Sequence, residues 1–180
     1  MKVIGLGKYR RWMQMIILSS IIVLGGWTVY SAVNDSGLKA EPGGPAPQFK
    51  LMDLEGNERS LADWKGKAIV INFWATYCEP CREEMPDLQK QYEKWASSDV
   101  IVLGVNAGES KLKAQNFVNQ AKVTFPILLD SDEKVRKQYG ITQYPSTVFV
   151  KPDGTIDQIK VGMMDEPFIE HSVSKLYTRQ

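Results

Sequence analysis

"FWATYCEPCREE", residues 73–84, ends an apolar run, contains both cysteines of the chain, Cys78 and Cys81, and opens into an acidic segment suited to a helix. The preceding "AIVINFW", residues 68–74, has the length and composition of a buried strand. Pro80 fits the first turn of a helix, where its missing N–H would have had no intrahelical partner. Strand, cysteine, helix is the unit from which the rest of the chain is read, with Pro86 expected to bend the helix.

On either side, strand-like and helix-like segments alternate. Residues 49–54 and those after Gly56-Asn57 read as a short hairpin, and Ser60 is placed to cap a brief helix through Trp64. "VIVLGVNA", residues 100–107, is a second buried strand; 110–121 has a helical pattern, 125–129 reads as a short strand and 132–139 as a helix. "STVFV", residues 146–150, the turn Pro152-Asp153-Gly154 and residues 155–162 predict an antiparallel hairpin. Residues 165–176 make a last helix with Pro167 in its first turn. Parallel crossovers followed by a hairpin predict an α/β fold with a mixed central sheet and helices on both faces.

The 180 residues are 43% hydrophobic and 24% charged, ordinary for one globular core. Their net charge of +1 is unevenly spread: Lys2, Lys8, Arg10 and Arg11 stand at the N-terminus without an acid near them. Removing these four from 22 basic residues leaves 18 against 21 acidic ones, a net of −3 for the remainder. No basic stripe with interleaved aromatics argues for nucleic acid. Residues 12–33, "WMQMIILSSIIVLGGWTVYSAV", carry no charge; as a helix they reach about 33 Å, against a hydrocarbon core of roughly 30 Å. Trp12, Trp27 and Tyr30 suit interfacial positions, and the cationic flank assigns residues 1–11 to the cytoplasm and the body to the extracytoplasmic side. The apolar run is long for a signal peptide and lacks a good cleavage site, so an uncleaved signal-anchor in the cell membrane is expected. Residues 34–46, rich in Gly and Pro, read as a linker and 47–180 as the folded domain.

The cysteines admit few chemistries. A zinc site usually needs four ligands, and besides the two cysteines the chain offers one histidine, His171, far along in the last helix. Covalent haem needs a histidine directly after the second cysteine, where Arg82 stands. Neither a metal nor any other cofactor is expected beyond the cysteines themselves. A purely structural disulfide over four residues contributes roughly 2 kcal/mol in the chain-entropy model, against about 4.7 for a loop of a hundred. The redox reading explains position as well as spacing: Cys78 at a helix N-terminus is where unpaired N–H groups and the helix dipole favour a thiolate. Cys81, one turn deeper on the same face, is placed to resolve a mixed disulfide formed at Cys78. Glu84, three residues further, lies on the helical side of the thiols, where it either exchanges protons with them or merely favours the first helical turns. Pro145, just before a β-rich run, reads as an edge residue or a cis turn.

"NFWATYCEPC" with its acidic helix, and "YPST" before a hairpin, resemble the thioredoxin superfamily. "APQFKLMDLEGNERSLADWKGKAIVINFWA" at 46–75, "NAGES" at 106–110, "FPILLD" at 125–130 and the N-terminal anchor are similar to its extracytoplasmic TlpA/ResA branch of thiol-disulfide oxidoreductases. The resemblance spans the whole body. It implies a thioredoxin fold with an N-terminal β-hairpin and a central insertion around 107–129. It implies catalytic roles for Cys78, Cys81 and Glu84, a cis Pro145 beside them, and a substrate strand bound near Tyr144, with Pro80 and Trp74 flanking the site. In that branch the reduced protein opens the disulfide of an apocytochrome c haem-binding motif and is re-reduced by a membrane thiol transporter of the CcdA type. Asn72 stands where thioredoxin has a buried aspartate and Tyr77 where it has a tryptophan, which makes Glu84 the better candidate for proton exchange. Trp74 packs over the site or is a plain core aromatic.

The function that follows is reduction of protein disulfides outside the cytoplasm. Its rivals are a disulfide-forming oxidase or general thiol-disulfide exchange protein, which would use the same cysteines at a different potential. Peroxide reduction would call on Thr76 and Arg82, and a non-enzymatic cytochrome-binding module would need no reactive sulfur at all.

Overall fold

The computed structural model describes residues 6–34 and 40–178, with side chains from 12 to 28 and from 40 to 176. The chain divides into two compact units, Met1–Gly37 and Leu38–Gln180. The first holds α1, Leu6–Asn34, whose apolar side chains are exposed, Ile22 by 71%. Among the described residues no helix is long and apolar enough to cross a membrane. The expected span runs on to residue 33, past the described side chains, while the side chains of Lys2, Lys8, Arg10 and Arg11, and linker residues 35–39, also lie outside the described residues.

The second unit is built on one seven-stranded sheet of order β2-β1-β5-β4-β3-β6-β7. β1 (Lys50–Asp53) and β2 (Glu58–Ser60) form the expected hairpin, followed by a 3-10 turn, Leu61–Trp64. β3 (Ala68–Trp74) leads into α2 (Glu79–Lys94), and β4 (Val100–Ala107) into α3 (Lys111–Ala121), β5 (Ile127–Asp130) and α4 (Lys134–Gln138). β6 (Ser146–Val150), β7 (Ile156–Val161) and α5 (Glu166–Thr178) complete the chain. β3, β4 and β5 are mutually parallel, whereas β1, β6 and β7 are antiparallel to their neighbours, giving the mixed sheet the segment order predicted.

Every residue of β3 is buried, because both faces of the sheet are covered. The two-residue period splits the strand cleanly: Ala68, Val70 and Trp74 enter one core, Ile69, Ile71 and Phe73 the other. Asn72 shares the parity of the first set and is therefore carried under α2. The layers are unequal. α2, α3 and α5 contribute to the first core; the second is closed by α4, the 3-10 turn and the N-terminal segment around Ala46 and Phe49. Tyr139 seals that side, its hydroxyl donating to the Pro47 carbonyl at 2.7 Å.

Several local expectations change. The linker reading ran to residue 46, yet the Gly43 and Ala46 N–H groups donate to the Ile156 and Gly154 carbonyls, and the Ile156 N–H donates to Gly44. Gly and Pro content misled here because this pairing uses only backbone groups and Gly43 supplies the positive φ of +86° at the turn. Ser60 donates its hydroxyl to the Asp63 carboxylate, which also accepts the Ser60 N–H. α4 is shorter than predicted because Glu133 adopts a left-handed conformation and the buried Asp130 carboxylate takes the N–H groups of Val135 and Arg136, fixing the start. β5 begins after Pro126, which has no N–H for the ladder. α2 continues through Pro86.

Candidate active site

Cys78 stands where sequence placed it, as the N-cap of α2 in extended conformation, with Glu79 and Pro80 beginning the helix. The loop from Ala75 closes tightly, since the Cys78 N–H donates to the Ala75 carbonyl at 3.2 Å. Its Sγ accepts the Cys81 N–H at 3.2 Å, one of the helix-start donors that have no intrahelical partner. The two sulfurs are joined as a disulfide. Cys78 keeps 8% of its surface exposed and Cys81 none. Cys78 is therefore the sulfur open to another molecule, and it stands at a helix N-terminus, a position that favours a thiolate.

Glu84, about one helical turn beyond Cys81 on α2, is 1% exposed. Its Oε1 accepts from Asn72 Nδ2 at 2.7 Å and its Oε2 from the Met164 backbone N–H at 3.1 Å, so the carboxyl joins β3 to the segment between β7 and α5. Burial pushes its pKa up to about 7, against the two hydrogen bonds, which favour the ionised form. Asn72 Nδ2 also donates to Thr147 Oγ1 at 3.0 Å, while Asn72 Oδ1 is buried without a hydrogen-bond partner. In this orientation the Asn72 amide donates to the ionised form of the acid. An aspartate at that position would put a second carboxylate against the first.

Pro145 follows a cis peptide bond after Tyr144 and is buried, its carbonyl accepting the Gly162 N–H at 2.8 Å. The next residue, Ser146, pairs with Phe73, and the Tyr144 ring lies 6.5 Å from that of Tyr77, which is 72% exposed. The cysteine loop and the proline loop therefore meet at one end of the sheet. Pro80 is exposed on the same helix start. Trp74 must be corrected: it is fully buried, its ring 5.1 Å from Phe117, so it is a core aromatic with no surface for substrate. Alternation along β3 sends it inward under α3. His171 is exposed, and among the described residues no cluster of His, Cys, Asp and Glu could hold a metal ion. Of the two residues a peroxide site would call on, Thr76 has its hydroxyl committed to Glu109 and Arg82 is exposed.

Glu109 is the residue sequence reasoning missed. It is 7% exposed and accepts the Thr76 N–H at 2.7 Å, the Thr76 hydroxyl at 2.6 Å and Asn106 Nδ2 at 2.9 Å. Burial alone would raise its pKa, but the hydrogen bonds from Thr76 and Asn106 and the nearby Lys113 hold the carboxyl below the usual range. The one signal was an acid inside "NAGES" directly after an apolar strand, where loops carrying function begin.

Comparison with known proteins agrees with this geometry. Residues 42–159 match the model of the AhpC/TSA family. The chain is 37% identical over 162 residues to the thiol-disulfide oxidoreductase ResA of Bacillus subtilis, covering 90% of each chain. It is 38% identical over 161 residues to the protein of the same name from Halalkalibacterium halodurans, covering 89% of this chain and 92% of that one. Among solved structures, StoA from Bacillus subtilis aligns with a TM-score of 0.63 at 29% identity, covering 73% of this chain and 98% of that one.

Proposed function

Because this chain belongs to the AhpC/TSA family, with the thioredoxin-like fold and the Cys-x-x-Cys pair of a ResA-type thiol-disulfide oxidoreductase, we propose that it reduces disulfides in proteins outside the cytoplasm, in particular the haem-binding cysteine pair of an apocytochrome c. The observation that carries this reading is the unequal exposure of the two sulfurs at the start of α2. In the reduced protein the Cys78 thiolate attacks one sulfur of the substrate disulfide, forming a mixed disulfide and expelling the other sulfur as a thiolate that takes up a proton. Cys81, as thiolate, then attacks the Cys78 sulfur and releases the second substrate thiol. Two electrons and two protons pass to the substrate, and the Cys78–Cys81 disulfide is re-reduced by a dithiol donor, a membrane thiol transporter of the CcdA type. Glu84, with a pKa raised to about 7, is partly ionised near neutral pH, and its carboxylate form takes the Cys81 proton as that thiol becomes a nucleophile. The redox pair needs no further cofactor.

Residues 12–33 serve in this proposal as an uncleaved membrane anchor with the N-terminus in the cytoplasm. The uncharged run, its cationic flank and the exposed apolar side chains of α1 support it. Protease added to right-side-out cells should remove the body and spare the N-terminal residues; the reverse result overturns the topology.

Equilibration with dithiothreitol tests the direction of electron flow. A potential near or below about −270 mV, that of thioredoxin, is expected; one approaching about −120 mV would make the protein a disulfide-forming oxidase. Cys81→Ser should trap a mixed disulfide with the natural substrate, identifiable by mass spectrometry, and Cys78→Ser should trap none.

A further inference from the structure

Three carboxylates are buried toward this end of the sheet, Glu84, Glu109 and Asp130; the exchange mechanism uses Glu84, and Asp130 takes the N–H groups that open α4. The remaining one, Glu109, is built in from both sides. Gly108, at the end of β4, has φ +72°, and a Cβ there would meet Glu133 Oε1 at 2.8 Å, so the corner requires glycine. The Gly108 N–H donates to the Asp130 carbonyl at 3.0 Å, and Ser131 Oγ donates to the Glu109 carbonyl at 3.2 Å. The backbone of Glu109 is thereby fixed, and its carboxylate is aimed across to the loop that follows β3. There it takes both donors of one residue, the Thr76 N–H and hydroxyl, while Asn106 of the preceding strand β4 donates to the oxygen that also accepts the Thr76 N–H.

We propose that Glu109 is a positioning residue for the attacking sulfur: by gripping Thr76, two residues before Cys78, it fixes the loop so that Cys78 sits on the N–H groups that open α2. The reasoning is geometric. The Ala75–Cys78 turn is closed by a single backbone hydrogen bond; the disulfide holds Cys78 Sγ near the Cys81 N–H in the oxidised protein, and once that bond is reduced the turn must keep the sulfur there. Among the described residues, the hydrogen bonds that tie the loop after β3 to the loop after β4 are those between Thr76 and Glu109. A charge-assisted grip is roughly twice as strong as a neutral one and suits a loop that must stay put while a partner's sulfur is exchanged in front of it.

This rests on Cys78 being the attacking thiolate, and the test separates the two claims. The full chain in detergent micelles is reduced, and the rate at which iodoacetamide alkylates Cys78 and Cys81 is followed by mass spectrometry as a function of pH. In the unmutated protein Cys78 must react faster than Cys81; if it does not, the assignment of the attacking sulfur fails, and with it the role given to Glu109. Glu109→Gln keeps the shape and an acceptor for Thr76, and should leave the Cys78 titration within about twofold of the parent rate at each pH. Glu109→Ala removes the grip and should shift the titration upward toward that of an ordinary cysteine, slowing Cys78 alkylation about tenfold at neutral pH. If both variants instead shift the titration downward, Glu109 acts only as a repelling charge and the positioning role is wrong. An unchanged titration in a folded Glu109→Ala protein overturns it equally. Should Glu109→Ala fail to fold, Thr76→Val, which deletes only the hydroxyl bond, is expected to give a smaller slowing in the same direction, and no change in it would refute the proposal.

Discussion

At the scale of the residue, the same side-chain type does different work at two positions because of what surrounds it. Glu84 is raised to about 7 by burial, whereas Glu109 is held ionised by three donated hydrogen bonds. The folded protein prefers Glu84 neutral, so the stability associated with it is fully present below the unfolded pKa near 4.5 and is lost as pH rises through about 7. The loss across that window is of order 3 kcal/mol. Denaturant titrations of the oxidised protein at pH 5 and pH 8 should show this difference, and Glu84→Gln should abolish most of it, since the amide resembles the neutral acid at both pH values. Spacing alone puts Cys78, Cys81 and Glu84 on one helix face, because positions three apart share it, and leaves the role of Glu84 open. Glu109 was not legible in this way, because its partner Thr76 is 33 residues away and belongs to another loop.

At the scale of the element, packing and turn chemistry decide what each strand tolerates. In β4, a Cβ on Gly104 would approach Ile127 Cδ1 to 2.6 Å and both Phe125 and Trp74 Nε1 to 3.0 Å. Gly104→Ala should therefore destabilise the fold by about 1–3 kcal/mol through overpacking, read from the midpoint of a urea melt. In the β1–β2 hairpin, the buried Asp53 carboxylate accepts from the Glu55 and Asn57 N–H groups, Asn57 Nδ2 and Arg59 Nε. Burial opposes its ionisation, but these donors, together with the Arg59 charge, lower its pKa to about 2. Its stabilisation is thus present above the unfolded pKa near 3.8 and lost as pH falls through about 2. Asp53→Ala should cost about 2 kcal/mol at pH 7 by leaving turn N–H groups unsatisfied. By contrast, the exposed Lys90–Glu166 and Lys94–Glu170 pairs between α2 and α5 are screened by water, and Lys94→Ala should leave the melt unchanged.

At the scale of the whole molecule, the body from Leu38 to Gln180 is a compact unit with two cores of its own. Removing residues 1–37 should leave its circular-dichroism melt and its reduction potential unchanged; a shift in either would show that α1 takes part in the fold or the site. The mixed sheet and the cysteine-bearing helix were readable in advance because apolar period, turn residues and helix-start chemistry are local; the order β2-β1-β5-β4-β3-β6-β7 came from the structure. The uncharged run at 12–33 is equally plain in the sequence, and its service as a membrane anchor belongs to the proposal above. Tertiary structure alone decided which buried residues are packing and which are chemistry. It turned Trp74 into core, bound residues 43–46 to the sheet, and joined Asn72 to Glu84 and Glu109 to Thr76. Those pairings depend on which loops the parallel strands deliver to the same end of the sheet, and no local pattern encodes the meeting of residues that are distant along the chain.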